Sequence, residues 1–217
     1  VQHMLQSMLI PILLVLGAPM TLALRALKPS PRRGDRGPRE WLQAFLHNGY
    51  VRFWSHPAVA TVNFVASPFL LYFTPLFSAA MRDHLGHLAM QVHFLLSGFL
   101  FFWLIIGVDP APRRLPHIQR LLLLLVTTPF HAFFGVATMT MGSPIAADWF
   151  DGLGRTWGGS ALADQRLGGG IAWAFTEIPT LIVLIALAIQ WWRADERAAR
   201  RAERRADAIA AKTGGTG

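Results

Sequence analysis

The chain of 217 residues contains no cysteine. That absence excludes a disulfide framework, a thiolate zinc site and a CxxC redox pair, so metal chemistry falls to His, Met and carboxylate. Acidic residues are scarce, 12 Asp and Glu against 20 Lys and Arg, for a net charge of +8. No motif for nucleic acid accompanies that excess. It reads as membrane topology and as contact with anionic lipid. A basic start ahead of an apolar stretch is missing too, so no signal peptide is visible. The chain opens on Val1 rather than Met, which is expected to be an internal residue of a longer protein. Nor is there a polar stretch between the apolar runs long enough for a separate soluble domain.

Hydrophobic residues make up 53% of the chain. Five apolar runs, about 4–25, 57–77, 87–108, 118–141 and 168–192, are each long enough for a helix to cross a bilayer. Lipid forces each span to satisfy its own backbone, so the expected fold is all-α: a polytopic membrane helical bundle of five spans. An amphipathic stretch, about 39–54, carries Trp41, Leu42, Phe45 and Leu46 on one helical face and suits a helix lying in the interface. His47 and His56 there read as interfacial or capping residues. Pro68 and Pro75 are expected to kink the second span or limit its last turn. Residues 193–217 form a basic tail, read as a solvated helical extension of the last span whose "TGGTG" end is disordered.

Seventeen of the 20 Lys and Arg fall in 25–56, in 109–120 and after Trp192. Only Arg82, Arg155 and Arg166 lie in the other loops. Basic loops remain cytoplasmic. Val1 is therefore expected outside and the tail inside, as five spans require.

Polar residues inside spans mark candidate sites. The first span begins with His3 and Met4. In the third, His87 is expected at the outer surface and Met90 about 4–5 Å deeper, both exposed at the outer mouth, with His93 about 9 Å deeper and pointing into the bundle. His131 lies about 15 Å below the outer end of the fourth span, which also carries Met139. Glu177, the lone acid in any span interior, lies about 13 Å below Gly168. All of these fall in the outer half. The loop from Gly142 to Arg166 is either a lid over such a site or a plain connection with interfacial tryptophans. Asp164 is expected to cap the last span, and its glycines to allow close helix packing.

Thioether and imidazole without thiolate suit Cu(I). The same residues leave other readings open. His93 and His131 on facing helices fit axial ligation of haem b. Glu177 with the histidines fits a proton or quinone site, and a cofactor-free accessory subunit of a respiratory complex needs no ligand at all.

Four segments, "VQHMLQSMLIPILLVLGAPMTLALRAL", "HLAMQVHFLLSGFLFFWLIIGVDP", "PFHAFFGVATM" and "DQRLGGGIAWAFTEIP", occur in an order that resembles the membrane CtaG-like family of cytochrome c oxidase assembly proteins. The resemblance covers most of 1–192. It implies a non-enzymatic, multi-pass protein of the bacterial plasma membrane that helps to deliver copper to a haem–copper oxidase. The implied partners are oxidase subunits or a periplasmic copper donor. His3, Met4, His87, Met90, His93, His131, Met139, Asp164, Gln165 and Glu177 fall on the family's motif positions. Family members usually carry further spans ahead of this region, and some are fused to a CopD-like copper-resistance domain.

Overall fold

The computed structural model describes residues 2–31 and 35–214, all helix, turn and loop with no strand among them. Helix α1 spans Gln2–Ala26. Two short helices follow, α2 (Pro38–Leu46) and α3 (Gly49–Trp54). Then come α4 (Pro57–Tyr72), α5 (Leu76–Arg82), α6 (His84–Ile106), α7 (His117–Thr140), α8 (Ala147–Gly152) and α9 (Ala161–Gly214). Four helices, α1, α6, α7 and α9, are long and apolar enough to cross a membrane. The remaining expected span is a bent pair: α4 and α5 pass the same test together but meet at 74°. Pro75 explains the break, since it has no N–H to continue the ladder of α4. Pro68 is accommodated inside α4.

Helix α6 is the centre of the bundle, touching α1, α4, α5 and α7, while α9 packs along α7. The apolar core around Phe101, Phe102, Ile105 and Leu124 fills the end nearer the basic loops. Two contacts need glycine. A Cβ on Gly98 of α6 would sit 2.0 Å from the carbonyl oxygen of Ser7. One on Gly169 of α9 would sit 2.7 Å from the backbone nitrogen of Met139 in α7. Small residues let membrane helices approach this closely, as expected for the glycines of the last span.

Helix α1 is not uniform. Leu5–Leu9 is a π-helical turn, and the chain breaks again at Ala18, held at φ 49°. The helical piece that restarts at Pro19 is capped by a residue far along the chain. Asp109, fully buried, accepts from the backbone N–H of Met20 (3.2 Å) and Thr21 (2.8 Å) and from the Thr21 hydroxyl (2.6 Å). A carboxylate at a helix N-terminus satisfies open donors and suits the local dipole.

The expected interfacial helix divides into α2 and α3 at His47–Asn48, because Asn48 stops one helix and caps the next, accepting from Val51 N–H at 2.9 Å. Leu46 is buried whereas Trp41 and Phe45 are exposed, as a helix half-sunk in an interface requires. Glu40 ties α2 to the preceding loop. The Ser30 amide, then its own amide and that of Gly37, hold its carboxyl below the ordinary value of 4.5.

Helix α9 begins earlier than the apolar run suggests. Ser160 caps it, accepting from Ala163 N–H at 3.2 Å, so Asp164 is not the cap but lies in the first turn, paired with Arg155 at 2.5 Å. The helix continues through the basic tail to Gly214, and includes the first two residues of "TGGTG". Residues 215–217 lie outside the described part.

Candidate functional site

The bend after Tyr72 and the loop after α7 together enclose a cavity of about 840 Å³ at the end of the bundle that carries His3. Its floor includes His3 and Met4 of α1, Tyr72 of α4, and Phe134 and Thr138 of α7. Met81 of α5 contributes a second thioether to the wall. The roof comes from the 142–160 loop, with Trp149, Phe150 and Trp157. The loop is thus a lid, over His3 rather than over His93. Gln165 anchors it: its amide donates to the carbonyls of Thr138 (3.2 Å) and Ser143 (3.3 Å) and accepts from Ile145 N–H at 2.6 Å. An ion pair between Arg82 and Asp148 links the lid to α5.

Within the cavity the His3 ring is held on two sides. Nδ1 hydrogen-bonds the Tyr72 hydroxyl, and the ring stacks on Phe94 at 4.9 Å. Met4 is buried against Phe134 and Ala172. The Thr138 hydroxyl is buried and has no hydrogen-bond partner among the described residues. Such a group on a cavity wall is suited to a bound ligand or water.

The other candidates lie elsewhere. His87 is half-buried in the first turns of α6. Met90, expected at an exposed mouth, is instead buried against Phe77 and Phe94. The bend that turns α5 back over α6 covers it. His93, expected to point into the bundle, is exposed, its Nε2 2.8 Å from the Ser67 hydroxyl. His131 is buried, its Nδ1 3.3 Å from the Thr127 carbonyl and its ring 4.5 Å from Phe64. The two histidines therefore engage different partners, on α4 for His93 and on α7 and α4 for His131. Met139 is partly buried and packs beside Gly170, its sulfur 3.7 Å from the position of a Cβ there. Glu177 is exposed, because α9 turns its small residues, not this face, toward α7. Among the described residues, no three His, Asp or Glu side chains come together as a metal site. Depth along the helices placed these residues in the same half of the bundle; the faces of the helices set them apart.

Sequence reasoning missed Met81 and Tyr72. A single methionine in a span reads as packing, and a tyrosine near a span end reads as an interfacial anchor. Neither carries a signal before the 74° bend brings α5 back over α6.

The sequence model of the cytochrome c oxidase caa3 assembly factors matches residues 1–194. The chain belongs to this family. It is also 51% identical over 206 residues to an uncharacterized protein of Mycobacterium leprae, and 52% identical over the same length to uncharacterized proteins of Mycobacterium bovis and Mycobacterium tuberculosis. Each alignment takes in 95% of this chain but 31% of the relative, so the chain spans about a third of the length of the curated relatives it matches. No solved structure matches.

Proposed function

We propose that this assembly factor handles copper as cargo, holding Cu(I) in the cavity beneath the lid on its way to the oxidase. The observation that carries the reading is that one imidazole, His3, and two thioethers, Met4 and Met81, line the same cavity. Soft donors of this kind select Cu(I) over hard cations. A site for a harder metal would need the nitrogen and oxygen cluster that the described residues lack. The reading moves the centre of the site away from His93, His131 and Glu177 and toward the lid.

The cavity lies at the end of the bundle away from the basic loops. By the charge rule that end faces outside the cytoplasm, where a periplasmic copper donor can reach it. A cysteine placed at Ser160 is expected to react with an impermeant thiol reagent applied from outside, and one placed at Ala202 is not. The reverse pattern refutes the orientation.

The copper reading is tested on the oxidase itself. In cells whose factor carries His3→Ala with Met4→Leu, the oxidase is expected to be isolated with little copper and low abundance, while the factor stays at normal membrane level. A fully metallated oxidase from those cells overturns the proposal. Glu177→Gln serves as the control and is expected to leave oxidase copper unchanged.

A further inference from the structure

The Tyr72 hydroxyl reaches the His3 ring through a bond between residues 69 positions apart. Its own ring is fixed by aromatic neighbours. It stacks on Phe77 at 4.7 Å and meets Phe134 edge-on at 5.3 Å. It is also the last residue of α4, so the bend at Pro75 sets its place at the corner between α4 and α5. The hydroxyl is thus the polar tip of a rigid aromatic group, aimed at one nitrogen of one histidine. Phe94 beneath the imidazole leaves that ring little freedom to turn away.

The consequence follows from imidazole chemistry. A neutral imidazole carries one N–H and one lone pair, and only the lone pair binds a cation. With Nδ1 taken by Tyr72, the nitrogen left for cargo is Nε2. A phenol both donates and accepts. When Tyr72 donates to Nδ1, the proton is on Nε2 and His3 offers nothing to a cation. When Nδ1–H donates to the Tyr72 oxygen, Nε2 presents its lone pair. We propose that Tyr72 is a positioning residue for cargo: by accepting from Nδ1–H it selects the His3 tautomer whose Nε2 takes up Cu(I). Loading from the other tautomer releases the Nε2 proton to water and takes one from water at Nδ1, while the phenolic hydrogen makes a half-turn, so the pair gains and loses no net proton. The inference rests on the copper reading given above and adds which nitrogen binds and what selects it.

Tyr72→Phe retains the aromatic ring and removes the hydroxyl alone. Partners that orient a metal-binding histidine are worth about 10–100-fold in affinity. Titration of the purified membrane protein with Cu(I) under anaerobic conditions, against a coloured Cu(I) chelator, is expected to show that loss for Tyr72→Phe. A second measurement uses the wild-type chain labelled with ¹⁵N in its histidines, with the His3 signals assigned through His3→Gln. On adding Cu(I), the Nε2 resonance of His3 is expected to move as a metal-bound nitrogen does, while Nδ1 keeps its proton. Cu(I) on Nδ1 overturns the inference even if Tyr72→Phe fails to fold. Equal Cu(I) affinity in Tyr72→Phe and wild type overturns it while leaving the copper reading intact. Absence of Cu(I) binding by the wild type removes both.

Discussion

Gly98→Leu is expected to remove folded protein from the membrane. The position faces the backbone of α1, and a Cβ there would lie 2.0 Å from the Ser7 carbonyl oxygen, 2.7 Å from its carbon and 2.9 Å from the Pro11 ring. The first two belong to the main chain, which cannot rotate aside as a side chain does. Overpacking a core ordinarily costs about 1–3 kcal/mol, occasionally more, and a clash with main chain belongs at the top of that range or above. Helix α1 would have to separate from α6, and with it His3 and Met4 would leave the cavity. Fluorescence-detected size exclusion of a tagged chain reads the outcome: loss of the monodisperse peak for Gly98→Leu, and a smaller loss for Gly98→Ala. A wild-type profile for Gly98→Leu contradicts the close approach of α1 and α6.

Asp109→Ala is expected to have the second-largest effect, at the opposite end of the same helix. The carboxylate receives three hydrogen bonds from Met20 and Thr21. Its removal leaves buried donors at the start of a helical piece, each worth about 1–3 kcal/mol when unsatisfied. Asp109→Asn keeps one acceptor oxygen and loses the charge that favours a helix N-terminus, so its loss should be smaller. Thermal unfolding in detergent should rank the chains wild type, Asn, Ala. An unchanged midpoint for Asp109→Ala would show that the break at Ala18 holds without this cap.

These two residues mark how far the sequence alone reaches. The apolar runs define the spans, since lipid leaves a helix little alternative, and Pro75 foretells where α4 must stop. Gly98 sits in an unbroken apolar run and carries no sign that Ser7 lies against it. Asp109 follows the third span in "GVDP" and reads as loop, although it caps a helix 88 residues away. The site shows the same limit. His3 and Met4 drew notice because they open a span, and the 142–166 loop because it is long and holds tryptophans, but its sequence did not decide between a lid and a plain connection. The depths of His93, His131 and Glu177 did not fix which way each points, and His93, expected to point into the bundle, is exposed, because the facing of a residue depends on the neighbouring helix. Met90 exchanged an exposed mouth for a buried contact as soon as α5 turned back over it. Met81 and Tyr72 joined the cavity by the same turn.

X-ray absorption at the copper edge, after addition of Cu(I) to the purified protein, tests the proposed copper site most directly. A first shell containing both nitrogen and sulfur is predicted, with sulfur lost when Met4 and Met81 are both changed to Leu and nitrogen lost when His3 is changed to Ala. A shell of nitrogen and oxygen alone, unaltered by these substitutions, would contradict it.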